Sequence, residues 1–167
     1  MSAAAAGAVL LAAVLLQVTW LSHLSVLGSD PNLTLLAVAG WTWLRGPRAG
    51  LGWALAAGLL LDLGSSGPIG VHAIALLAAA YCVGLIGGSL KEGGVLVPAA
   101  AAAIATLLYG LIVIGVGATL GQAFPPPAVA MVLLLGGALY NAILMPLILF
   151  PLRRLAGLLA RPGGELW

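Results

Sequence analysis

Long apolar runs, broken at intervals by short clusters of Gly, Pro, Ser and charge, make up almost the whole chain. The first run covers residues 3–21, a length that spans a bilayer, and no positively charged stretch precedes it, so it reads as a retained span and not a signal peptide. A polar exit follows with Ser22, His23, Ser25, Gly28, Ser29 and Asp30. Asp30-Pro31 has the form of a helix start, because Asp caps free N–H groups and Pro suits the first helical position. The second run, 32–44, is short and carries Trp41 and Trp43, a pair of the kind that anchors a span at the membrane interface. Arg45-Gly46-Pro47-Arg48 predicts a tight basic turn, and a third run, 49–63, stops at the Gly64 to Pro68 loop signal. The fourth run is 70–86, the fifth 95–120 with Pro98 in its first turn, and the sixth 128–150 after three consecutive prolines. A basic tail with Arg153, Arg154 and Arg161 closes the pattern.

The pattern predicts an all-α polytopic membrane protein of six transmembrane helices, the second and third short, with residues 1–167 as a single integral membrane domain. Composition agrees. The chain is 63% hydrophobic and 6% charged, where soluble domains carry about 25% charged residues, so lipid must cover its surface. Nearly every residue is needed for crossing, which leaves no room for a soluble enzymatic domain. The basic residues are scattered near span ends with no stripe that would suit nucleic acid. Cys82 is the single cysteine, so there is no intrachain disulfide and no C-x-x-C pattern. With the N-terminus in the cytoplasm and six crossings, Arg45, Arg48, Lys91, Arg153, Arg154 and Arg161 all fall on the cytoplasmic side, and Asp30 and Asp62 fall at outer ends. An odd number of spans would split the basic set. The short second and third runs leave a re-entrant hairpin as the alternative to two full crossings.

Candidate chemistry is sparse. Asp62 is the one acid well inside an apolar context, about one turn from the loop glycines; the plainest reading is a helix-end carboxylate that satisfies N–H groups of the Gly64 to Gly70 turn. His72 starts the fourth run, where its side chain could meet Asp62 across the turn. With His23 and Asp30 also expected on the outer side, a metal site is conceivable, but the spacing matches no helical zinc motif. Asn141 is the best mid-membrane polar residue and is expected to hydrogen-bond across helices, worth about 0.6–2 kcal/mol. Pro146 is expected to kink the sixth helix. Gly84-x-x-x-Gly88, Gly117-x-x-x-Gly121 and the series Gly50, Gly52, Ala54, Gly58 are small-residue patterns that let helix backbones approach closely in lipid. No phosphate loop, metal cluster or nucleophile–base pair is legible, so no catalytic residue and no cofactor is expected.

Four stretches then form an ordered set: Pro31-Asn32-Leu33-Thr34-Leu35-Leu36, Arg45-Gly46-Pro47-Arg48, Gly58-Leu59-Leu60-Leu61-Asp62-Leu63, and Pro68-Ile69-Gly70-Val71-His72-Ala73. In order and spacing this set resembles the rod shape-determining protein MreD family, with motif detail over residues 17–90 and agreement in hydropathy and length beyond. The resemblance implies a non-enzymatic component of the bacterial elongation machinery (elongasome) in the inner membrane, with both termini cytoplasmic. It implies binding to MreC, and association with the glycosyltransferase RodA and its class B penicillin-binding transpeptidase, directly or through MreC, in support of lateral peptidoglycan synthesis and cell shape. It also implies a fold similar to the S components of energy-coupling-factor transporters. The motif residues Pro31, Gly58, Asp62, Pro68, Gly70 and His72, with Asn141, are the structural or partner-contact candidates. A homodimer is compatible with the paired small-residue patterns, and membrane lipid is the expected surroundings. The alternative is a vitamin-binding S component itself, for which Asp62, His72, Asn141 and Gln122 are sparse material and the small-residue run Ala3 to Gly7 a conceivable docking face.

Overall fold

The computed structural model describes residues 32–65, 67–90, 94–122 and 125–159. The expected first span, the Asp30-Pro31 helix start, His23, Lys91 and Arg161 lie outside the described residues. Five helices follow one another: α1 (Leu33–Arg45), α2 (Pro47–Gly64), α3 (Val71–Ser89), α4 (Leu96–Thr119) and α5 (Pro127–Leu159). The described residues are all-α, with helices packed in up-and-down succession.

The short helix α1 is the axis of the bundle. Every residue from Thr34 to Trp43 is buried, and α1 packs against all four other helices. A helix that is apolar all round belongs inside a protein, and protein rather than lipid surrounds this one. Its 13 residues span about 20 Å at 1.5 Å per residue, short of the ~30 Å hydrocarbon core. The capping oxygen comes from Asn32, whose side chain accepts from the Leu35 N–H at 2.9 Å. Trp41 and Trp43 are not lipid-facing interfacial anchors. Trp41 is 5% exposed and stacks on Trp53 of α2 with ring centroids 4.5 Å apart, and Trp43 is 8% exposed and covers Gly87 of α3. Burial of the whole helix overrides the interfacial preference of its indoles.

Small residues set the helix spacing, in fewer places than the sequence patterns suggest. A single residue, Gly46 with φ +86°, separates α1 from α2, and Pro47 opens α2 at a position where a missing N–H costs little. Gly50 lies against Thr42, whose hydroxyl donates back to the Val38 carbonyl at 2.7 Å. Gly58 lies against the backbone of Ala73, where a Cβ would stand 2.7 Å from the amide nitrogen. Gly84 lies against Pro47, whereas Gly52 and Gly88 face open space. Gly117 and Gly121 also end a helix: Gly121 has φ +74°, its N–H reaches the Ala118 carbonyl and the Gln122 N–H reaches the Gly117 carbonyl, which is a Schellman stop for α4.

The last helix runs unbroken through Pro146 and Pro151 to Leu159, beyond the expected end at Phe150. Each proline removes one ladder hydrogen bond, and the helix tolerates this because neighbouring turns carry it. Among the described residues three helices, α3, α4 and α5, are long and apolar enough to cross a membrane, which makes this a multi-pass membrane protein. Outward-facing rows agree with that. Leu55, Leu59 and Leu63 on α2, and Leu135, Leu139, Ile143, Leu147 and Phe150 on α5, are all exposed.

The contacts sort the two ends of the bundle. Pro47 meets Gly84, Trp43 meets Gly87, and Trp41 clusters with Leu152, so Arg45, Arg48, Arg153 and Arg154 gather at one end. Asn32, Asp62, His72 and Tyr109 gather towards the other.

A substitution at Gly58 should therefore separate from one at Gly52. Gly58→Ala is expected to lower stability by about 1–3 kcal/mol, the usual cost of overpacking, whereas Gly52→Ala is expected to be neutral or to gain up to about 1 kcal/mol from helix propensity. Thermal unfolding of the two variants in one detergent checks this, and equal melting temperatures would remove the Gly58–Ala73 contact as a determinant of the fold.

Candidate functional site

Asp62 is 2% exposed at the last turn of α2. Its backbone carbonyl accepts from the Ser65 N–H at 3.3 Å and the Ser65 hydroxyl at 3.2 Å, which closes α2. Its carboxylate opens the next helix. Oδ2 accepts from the Gly70 N–H at 2.8 Å and the Ala73 N–H at 3.2 Å, and Oδ1 accepts from the His72 N–H at 2.9 Å.

The reason lies in the N-terminus of α3. A helix leaves its first N–H groups without intrahelical partners, and the residue at the N-cap normally supplies a side-chain oxygen. Here the N-cap is Gly70, with φ +102° and no side chain to offer. The carboxylate of the preceding helix takes over the task, and its negative charge lies at the positive end of the α3 dipole. Only glycine adopts this φ without strain, so Gly70 and Asp62 are two halves of one solution. Pro68 stands in the connecting turn and Gly58 lets α2 approach α3 closely enough for the carboxylate to reach.

His72 hydrogen-bonds to Asp62 through its backbone N–H. Its ring pairs with Tyr109 of α4, with Nδ1 2.7 Å from the hydroxyl and the two rings stacked at 5.9 Å between centroids. In place of the expected side-chain His–Asp hydrogen bond across the turn, the ring forms a His–Tyr pair between α3 and α4. The Tyr109 hydroxyl also interacts with the side chain of Asn32.

Asn141 extends the polar layer. Its Oδ1 accepts from the Asn32 N–H at 3.2 Å and its Nδ2 donates to the Thr106 hydroxyl at 3.0 Å, which donates in turn to the Ala102 carbonyl at 2.7 Å. Asn141 is 1% exposed, and the expected hydrogen bond across helices joins α5 to both α1 and α4. The layer of Asn32, His72, Thr106, Tyr109 and Asn141 therefore ties four helices together. Thr34 lies in the same end of α1 and has a buried hydroxyl without a partner.

Sequence reasoning found Asp62, His72 and Asn141 but missed Asn32, Thr106 and Tyr109. Asn32 was legible as a cap, being a short amide just before an apolar helix. Thr106 and Tyr109 are three apart and so share a helix face, the one signal that could have paired them. Among the described residues no three His, Cys, Asp or Glu side chains come together as metal ligands, and every oxygen of the Asp62 carboxylate is engaged by backbone N–H. Arg45, Arg48, Arg153 and Arg154 take no part in this layer. Arg45 lies over the Trp41 ring at 5.6 Å and Arg154 over Phe150 at 4.8 Å, at the opposite end.

A bundle of this kind, apolar outside and tied inside by one capped helix junction and a polar layer, defines a multi-pass helical membrane protein. The model of a protein family described as rod shape-determining protein MreD matches residues 5–155, and the chain belongs to that family. Membership gives it a part in determining rod cell shape. No curated protein matches the chain significantly.

Asp62→Ala leaves buried N–H donors unpaired, each costing about 1–3 kcal/mol, and is expected to destabilise the protein by about 2–4 kcal/mol. Asp62→Asn retains one acceptor oxygen and is expected to recover about half of that. Amide hydrogen exchange at Gly70, His72 and Ala73 should speed up in both variants, and protection unchanged from wild type would refute the cap. Tyr109→Phe removes the hydroxyl that meets His72 and is expected to cost about 1 kcal/mol, read by thermal unfolding in detergent.

Proposed function

We propose that the chain is the polytopic MreD-type component of the bacterial elongation machinery in the inner membrane. It binds MreC, reaches RodA and its class B penicillin-binding transpeptidase directly or through MreC, and carries out no reaction of its own. The observation that carries this reading is the family match across residues 5–155. The same reading includes six crossings, both termini in the cytoplasm, a single membrane domain and a likeness to the S-component fold. The gathering of Arg45, Arg48, Arg153 and Arg154 at one end of the bundle supports the orientation, since cytoplasmic ends carry the positive excess.

Partner binding would fall on the exposed apolar rows, with the junction of Gly58, Asp62, Pro68, Gly70 and His72 fixing how those rows stand to one another. A membrane interface of this type rests on packing between helices, where there is no hydrophobic drive of the aqueous kind. Positions that set helix placement then matter as much as those in contact.

The experiment is co-purification with MreC from bacterial membranes in mild detergent, coupled to rescue of rod shape in cells depleted of the endogenous protein. Wild type is expected to retain MreC and restore rods. Asp62→Ala is expected to lose at least half of the co-purified MreC, whereas Cys82→Ala, at a half-buried position, retains it. Recovery of paired ATPases with a large coupling membrane subunit in place of MreC would overturn the reading in favour of a vitamin-uptake component.

A further inference from the structure

At the arginine-rich end α4 and α5 do not close on each other. Val95, Pro98, Pro146, Leu149, Phe150 and Arg153 line an open groove of about 120 Å³. Two prolines create it. Pro98 sits in the first turn of α4 and Pro146 in the body of α5, and their compact rings cannot fill the space as Leu or Phe would. Pro98 and Leu149 form a buried floor, while Val95 and Phe150 stand as walls, 58% and 61% exposed. The volume is close to that of the ~150 Å³ apolar cavity that takes up benzene, so it suits a few methylene groups.

Among the described residues, arginines flank the mouth. Arg153 is exposed and lines the groove, and Arg154 lies beside it over the Phe150 ring. Asp62, the one acid among the described residues, is at the opposite end and engaged by three N–H groups. An open apolar slot beside a guanidinium matches one kind of molecule found around a membrane protein. We propose that this groove seats an anionic phospholipid, with acyl-chain methylenes between Pro98, Pro146 and Phe150 and the phosphate on Arg153. The guanidinium fork suits phosphate oxygens, and basic pockets between membrane helices hold anionic headgroups. A zwitterionic lipid offers the same chain but brings its own cation to the arginine. The assignment does not depend on the elongation reading.

The test is native mass spectrometry of the full chain in detergent, equilibrated with equal amounts of phosphatidylglycerol and phosphatidylcholine, with circular dichroism to confirm that each variant is helical. Wild type is expected to retain phosphatidylglycerol preferentially. Arg153→Gln is expected to reduce that preference about fivefold, the effect of one basic residue near an anionic surface. Arg48→Gln, at the same end but outside the groove, is expected to leave it unchanged. Val95→Trp, which fills the slot from an exposed wall, is expected to lower retention of both lipids. Equal retention of the two lipids by wild type, or equal losses in Arg153→Gln and Arg48→Gln, would overturn the proposal. Displacement of the lipid by millimolar inorganic phosphate would do the same, by reducing the groove to a site for the bare anion.

Discussion

The capping of one helix by the carboxylate of the helix before it is the constraint on which this bundle turns. In hydrocarbon an unpaired backbone N–H costs several kcal/mol, and the N-terminus of α3 presents such groups where Gly70 has no side chain to answer them. Asp62 answers three of them at once and so fixes the distance and direction between α2 and α3. A buried carboxylate is itself expensive. It is tolerated here because the three N–H groups and the dipole of α3 replace its water. The acid and the helix start are each unfavourable alone, and each removes the other's cost.

That junction explains why a short helix can sit at the centre. With α2 and α3 set by Asp62, and α4 and α5 joined to α1 through Asn141, Thr106 and Asn32, the four other helices pack around α1. There α1 needs no lipid-spanning length, because protein surrounds its body from Thr34 to Trp43. Gly40 lets α5 in, with a Cβ there falling 2.6 Å from Leu152, and Thr42 faces Gly50 of α2. Polar groups and close backbone contacts thus do the specifying that an aqueous hydrophobic effect cannot do between helices in lipid.

Much of this was legible in the chain. The helix order follows from the apolar runs and their Gly and Pro breaks, and the carboxylate role of Asp62 follows from its position one turn before the loop. What was not legible had a common cause, namely that a sequence shows which residues neighbour along the chain but not which helix stands opposite. Trp41 and Trp43 carry the composition of an interfacial belt, yet α1 is enclosed and they are core. His72 stands ten positions from Asp62, and only the geometry of the α3 start decides that its backbone, and not its ring, makes the hydrogen bond. Gly117 and Gly121 have packing spacing and also form a helix stop, which the spacing alone does not show. Tyr109 gave no sign of its partner, since His72 lies 37 positions away.

The exposed rows of α2 and α5 pose a different question from those of a soluble protein. In water, Leu55, Leu59 and Leu63 in a line would mark a sticky patch. In a bilayer, lipid chains satisfy leucine as well as another helix does, so apolarity alone selects no partner. Selection must come from shape, from polar groups at the ends, or from lipid that must be displaced. The interior of this protein holds its shape through a few close-fitting positions, and among the described residues Thr34, Thr42, Asp62, Thr106 and Asn141 are polar side chains buried within it. On the reading proposed above, a partner helix would meet the relative placement of rows more than any single side chain, and that placement depends on the α2–α3 junction, where Asp62 joins the two helices.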